Sequence, residues 1–198
     1  MIIDPKNTLT TEMYYFMTAS IVPRPIALVT STSGKGIVNA APFSYFNAIC
    51  TSPPTIMIAV GRRNGEMKDT ARNILERREF VINIVNEELA EQMNITSGTY
   101  PPDVSEVELA GLSLTPSVKV SVQRIAKSPI QFECVLSQAI EVGNDPTDLI
   151  LGEIVLMHIQ DHVMKEGRIQ PELLQAIGRL SGSYYCRTTD LFQMKRPR

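Results

Sequence analysis

Two long β-type runs, PIQFECVLSQAIEV (129–142) and DLILGEIVLMHIQDHVM (148–164), follow one another across the turn segment GNDPTD. No helix separates them. A parallel dinucleotide-type sheet needs a crossover helix between successive strands, so this order disfavours it. The same holds upstream, where RPIALVTSTSGKGIVNAAPFSYF gives two β-type runs around Ser33-Gly34-Lys35-Gly36, a hairpin turn with two glycines able to take positive φ. PPTIMIAVG is a continuous apolar strand bracketed by prolines and Gly61, as expected when both faces are covered. Many β-runs with few helices argue a closed β-barrel with helices packed outside, an α+β, mainly β arrangement.

The helices are fewer. Residues 8–19 form a short amphipathic helix, and EMKDTARNILERR (66–78) is the clearest one, with Asn64 as its expected cap. EFVINIV returns to strand and NEELAEQMNI to helix. A Pro-, Gly- and Ser-rich loop follows from about 96 to 116, long enough for a lid or a dimer arm. SVKVSVQRI (117–125) reads as strand, PELLQAI as a helix with Pro171 in its first turn, and GRLSGSYYCRTTD (178–190) as loop. The 198 residues suit one domain, with a core over about 20–165 and a C-terminal arm over 166–198.

A net charge of -2 argues against a nucleic-acid binder acting through bulk positive charge. Three widely spaced cysteines give neither a disulfide framework nor a zinc motif. The apolar runs are strand-sized, short of the ~20 residues of a membrane span. The opening MIIDPKNTLT lacks a signal-peptide pattern, so a cytoplasmic protein is expected, and the sequon Asn94-Ile95-Thr96 is a chance match.

Candidate chemistry concentrates in two places. In GRRNGEMKDTARN (61–73) a strand ends at Gly61, two arginines follow, and a helix begins near Lys68, whose first turn also holds Asp69 and Thr70. A helix start of this kind offers free N–H groups, a cation and a hydroxyl to a phosphate. The alternative is a well-capped surface helix. In VNAAPFSYFNAIC (38–50) a β-type run is broken by Pro42, which cannot donate to a ladder, so the strand must bulge there or lie at an edge. Ala40 and Ala41 let a flat ring approach the backbone, while Asn39, Ser44 and Asn47 can read polar ring edges; the alternative is a twisted strand whose polar residues face water.

Other motifs fail. Gly34-Lys35-Gly36 lies between strands, and a dinucleotide fingerprint opens a helix. His158 and His162 have no matched third ligand, so no metal is expected, and no nucleophile elbow or acid–base pair is readable.

The ordered pieces IVPRPIALVTST, GIVNAAPFSYFNAICTSPPTIMIAVG, KDTARNI and EFVINIV, with RIAKSPIQFEC, GEIVLMHIQD and GRLSGSYY downstream, resemble the flavin reductase-like family of FMN-binding split-barrel proteins over about residues 20–188. The resemblance implies a six-stranded Greek-key split β-barrel with flanking helices. It implies a homodimer with FMN near the interface, and reduction of flavin by NADH or NADPH, often for a partner monooxygenase. By position, Asn39, Ala40, Ala41, Pro42, Phe43, Ser44, Tyr45 and Phe46 would line the isoalloxazine. Thr30 and Ser31 would lie beside the ribityl chain or phosphate, and Lys68, Asp69 and Thr70 at the phosphate end. His158, Arg179 and Tyr184 would border the nicotinamide. Arg24 reads either as a ligand contact or as part of a strand start held by its flanking prolines. No side chain is expected to act as a nucleophile, since hydride transfer is the cofactors' own chemistry. The competing class is an FMN-binding electron carrier without NAD(P)H reductase activity.

Overall fold

A computed structural model describes residues 1–197 of the protein. In chain order its elements are α1 (Thr10–Ser20), β1 (Ala27–Thr32), β2 (Val38–Phe43), β3 (Phe46–Thr51), β4 (Pro54–Gly61), α2 (Asp69–Arg77), β5 (Glu79–Ile84), α3 (Ala90–Thr96), α4 (Glu106–Leu109), β6 (Leu114–Thr115), β7 (Arg124–Ile125), β8 (Ile130–Val142), β9 (Thr147–Ile159), β10 (Met164–Lys165), β11 (Arg168–Ile169), α5 (Pro171–Leu174), β12 (Ile177–Arg179) and β13 (Tyr185–Arg187).

Seven strands make one sheet in the order β2-β1-β5-β8-β9-β4-β3. Every neighbouring pair is antiparallel. The two edge strands, β2 and β3, are consecutive in the chain with only Ser44 and Tyr45 between them. A sheet whose first and last strands are joined by two residues must curl round until its edges meet. The edges meet without pairing, so the closed barrel expected from the strand count is instead split between β2 and β3. Counted as one interrupted run, Val38–Thr51 makes the barrel six-stranded, as the resemblance implies.

Pro42 explains why the split falls there. The β1–β2 register runs unbroken from Ala27↔Phe43 to Thr32↔Val38, so β2 has no bulge. The Ala40 N–H points away from β1, to the Glu106 carboxylate at 3.2 Å. Pro42, two residues on, therefore turns its nitrogen to the same open edge, where no ladder bond is lost.

The barrel interior is filled from alternate positions of the strands, among them Ala27 and Val29 of β1, Ile58 of β4 and Phe80 and Ile82 of β5, all fully buried. At Gly152 an added Cβ would collide with the Phe80 ring, so glycine here makes room for that ring. Ala71 and Ile74 of α2 pack onto this core. Burying Ile74 fully is worth ~1.5–3 kcal/mol. A second core, with Leu28, Ala40, Leu89, Met93 and Val107, lies outside β1 and β2 beneath α3 and α4.

Several sequence expectations are corrected. The helix expected from Glu66 begins at Asp69, because Asn64 (φ 50°) and Gly65 (φ 79°) form a tight turn in which Arg63 and Glu66 exchange both backbone hydrogen bonds. Asn64 is thus a turn residue, and Lys68 occupies the N-cap position. Only Arg124–Ile125 of the segment 117–125 is strand. The loop 96–116 contains α4 and packs on β2 rather than standing free, and the tail holds the β12–β13 hairpin.

Candidate functional site

The open edge of β2 faces a cleft of about 440 Å³, walled on one side by Asn39, Ala41, Pro42 and Phe43. The opposite side is built from the Arg63–Glu66 turn and the start of α2, with Lys68, Asp69 and Thr70. Ser97 and Tyr100, in the segment after α3, and Glu106 complete it. Strand alternation places three of the β2 residues, and Pro42 joins them from the other face near the strand end. Asn39, Ala41 and Phe43 share one face, while Ala40 is buried in the second core.

A hydrogen-bond chain locks α2 to this edge. Thr70 Oγ1 donates to Asn39 Oδ1 at 2.9 Å, Ser31 Oγ donates to the same oxygen at 3.3 Å, and Asn73 Nδ2 donates to Ser31 at 3.2 Å. Asn39 Nδ2 donates to both oxygens of Glu106 at 2.9 Å. Glu106 is buried and makes no ion pair among the described residues. Burial pushes its carboxyl up, against the hydrogen bonds from backbone N–H groups and from Asn39.

The basic side of the cleft is of opposite character. Asp69 is paired with Arg72, but Arg63 and Lys68 form no ion pair among the described residues. Burial, with Arg63 nearby, lowers the Lys68 ammonium from its ordinary value. Lys68 Nζ lies 5.9 Å from the centre of the Phe43 ring. The first intrahelical bond of α2 runs from Arg72 N–H to the Lys68 carbonyl, which leaves the N–H groups of the first turn without an intrahelical partner, and Asp69 and Thr70 of that turn line the cleft.

A second cleft, of about 520 Å³, shares Pro42, Phe43 and Ser97 with the first. Its further walls are Tyr14 of α1, Asn94 of α3, Ser44, and Arg179, Ser183 and Tyr185 of the C-terminal hairpin. That hairpin is tied to the barrel by Arg24. Backbone bonds join Arg24 and Arg179 reciprocally at 3.0 and 2.9 Å. The buried Arg24 guanidinium donates to the carbonyls of Thr18 (2.5 Å), Ile21 (2.8 Å) and Leu180 (2.8 Å) and to Ser44 Oγ (3.3 Å). Arg24 is therefore the clamp at the strand start, spent on protein acceptors and absent from both clefts.

The structure brings together Asn39, Ala41, Pro42, Phe43, Lys68, Asp69 and Thr70 at the first cleft, and Pro42, Phe43, Ser44 and Arg179 at the second. Ser31 reaches the first only through Asn39. Thr30 lies elsewhere, its hydroxyl donating to the Gln123 carbonyl at 2.8 Å. Ala40 and Phe46 are core residues. Tyr45 lines neither cleft, and burial, with Tyr14 beside it, holds its phenol above the ordinary range. Two expected substrate contacts, His158 and Tyr184, line neither cleft. His158 Nε2 lies 2.5 Å from the buried Glu133 carboxylate, outside both clefts. Tyr184 is exposed, and its neighbour Tyr185 faces the cleft instead. Reading the tail as a strand would have chosen Tyr185 by alternation. Glu106 carried no sequence signal, because its partner Asn39 is 67 residues away. No group of His, Cys, Asp and Glu able to hold a metal occurs among the described residues.

These surroundings fit a flavin nucleotide. Small side chains and an open strand edge admit a flat ring beside Ala41 and Pro42. Unpaired cations and free helix N–H groups lie where a phosphate could follow, and the adjoining cleft leaves room against the ring for a second molecule.

Residues 18–180 match the family model described as flavin reductase like domain. An uncharacterized protein of Halalkalibacterium halodurans is 40% identical over 202 residues, covering 100% of this chain and 97% of the relative. Among solved structures, nitrilotriacetate monooxygenase component B from Bacillus cereus is 39% identical with a TM-score of 0.95, covering 98% of each chain. Pseudomonas fluorescens 2-nitrobenzoate 2-nitroreductase NbaA is 39% identical with a TM-score of 0.91, covering 100% of this chain and 96% of that one.

Proposed function

The chain belongs to the flavin reductase-like family, and from that premise we propose that it is an oxidoreductase carrying hydride from NAD(P)H to FMN. The observation that supports this reading most is the meeting of the two clefts at Pro42 and Phe43, which would let two planar molecules lie side by side. Flavin supplies the two-electron acceptor chemistry when bound. The protein's part is positioning and charge. Arg63, Lys68 and the N-terminus of α2 would hold the phosphate. Ala41 and Pro42 offer a flat wall, and Phe43 screens the meeting point from water. Thr70, Asn39 and Ser31 keep helix and strand edge at fixed separation, which would hold a flavin in one place at the edge of the first cleft. Arg179 and Tyr185 bound the nicotinamide side.

On this reading the reduced flavin is passed to an oxygenase partner, a role suggested by the relative called a monooxygenase component B. A second copy of the chain covers exposed apolar side chains such as Ile49 on β3 and Tyr15 and Met17 on α1. No helix is long and apolar enough to cross a membrane among the described residues.

The phosphate assignment is tested by titrating FMN and riboflavin into the protein and into the Arg63→Gln/Lys68→Met double variant. Losing two charge-assisted contacts should weaken FMN about 10–100-fold and leave riboflavin within about twofold. Equal losses for both ligands would remove the phosphate from this end of the cleft.

A further inference from the structure

The second cleft differs from the first in its charge. Among the described residues no Asp or Glu lines it, and Arg179 is its one charged side chain. The Arg179 guanidinium lies 4.5 Å from the centre of the Tyr185 ring, which holds its planar fork in one orientation. Nη2 donates to the Gly182 carbonyl within the same hairpin, and the residue makes no ion pair among the described residues. The other polar side chains of the wall are neutral, among them Tyr14, Ser44, Asn94, Ser97 and Ser183. A half-buried cation without a protein counter-ion is costly to desolvate further unless the ligand brings the opposite charge. The aromatic and proline surfaces beside it favour a flat ring.

We infer that the second cleft selects a planar ligand bearing an oxyanion, with Arg179 as the residue that selects it and Tyr185 as its support. The inference rests on the reading of the adjoining cleft as the flavin site, which places the ligand's ring against the flavin. The oxyanion can be the carboxylate of an aromatic acid or the phosphate of a nicotinamide nucleotide. Both offer paired oxygens to a guanidinium fork.

The test uses matched pairs that differ in charge, with binding read by ligand-detected NMR on the FMN-supplemented protein at constant ionic strength. Benzoate is compared with benzamide, and nicotinamide mononucleotide with nicotinamide riboside. The anionic member should bind about tenfold more tightly in at least one pair, and that pair identifies the source of the oxyanion. Arg179→Gln should bring the two members of that pair within about twofold. Ser183→Asp, which puts an acid across the cleft without touching the Arg179–Tyr185 stack, should do the same if Arg179→Gln does not fold. Equal binding within both pairs, or a preference that survives the folded variants, would overturn the inference. An FMN absorbance titration run alongside separates the two claims. If FMN fails to bind while the charge preference persists, the flavin reading falls and the oxyanion site stands.

Discussion

Glu106 is held by Asn39 and the Ala40 N–H, with no cation beside it. Because burial raises its carboxyl, the native protein holds a proton that the unfolded chain has already released. Native proton binding therefore exceeds unfolded binding between the ordinary carboxylate pKa and the raised one, and stability falls as pH rises through that window. Glu106→Gln removes this slope. Urea midpoints should fall from pH 4.5 to 7 in the wild type more than in the variant, and parallel trends would contradict the assignment. At the scale of single residues, reach along the chain governed what could be read. The basic start of α2 was legible because Lys68, Asp69 and Thr70 are contiguous. Arg24, Glu106 and Tyr185 act through partners distant in sequence, and their roles were invisible until the fold joined them.

The segment 117–122 shows why an alternating pattern is not always a strand. Val120 and Val122 are buried against Val81, so the alternation did report a buried face. The backbone, however, turns its N–H groups toward carboxylates rather than a neighbouring strand. Val118, Lys119 and Val120 donate to Glu133, at 2.8, 2.6 and 3.2 Å, and Ser121 donates to Glu79 at 2.6 Å. Burial pushes the Glu133 carboxyl up. The His158 hydrogen bond and the N–H groups of Val118 and Lys119 outweigh it and hold the group below the ordinary carboxylate range. The depressed pKa makes this contribution complete above the unfolded value and lost as pH falls through the native one. Glu133→Gln should cost about 1–3 kcal/mol, as expected when buried N–H donors lose a charged acceptor. It should also speed amide exchange at Val118–Val120 more than in the barrel strands. Unchanged exchange there would show that the carboxylate does not organise the loop. His158, expected at the ligand, is accounted for by this element instead.

For the whole molecule, the strand order, the split and the paired clefts have one cause. Joining the two edge strands through Ser44 and Tyr45 forces the sheet to curl, and Pro42 keeps the meeting edges from needing a ladder bond. The lack of crossover helices made the mainly β, antiparallel class legible, whereas the break at Pro42 read as a ligand wall and the split itself came only with the family resemblance. The second cleft was not legible, because it is assembled from α1, α3 and a C-terminal hairpin whose segments carry no shared pattern. The central claim is that a flavin held at the open edge of β2 is reduced by a nicotinamide nucleotide in the adjoining cleft. The direct measurement is the visible spectrum of the protein with FMN, followed on addition of NADH or NADPH in the absence of oxygen. The expected result is bleaching of the oxidised-flavin band at a catalytic rate. A bound yellow flavin that neither nucleotide bleaches would contradict the reductase claim and identify an electron carrier with another donor.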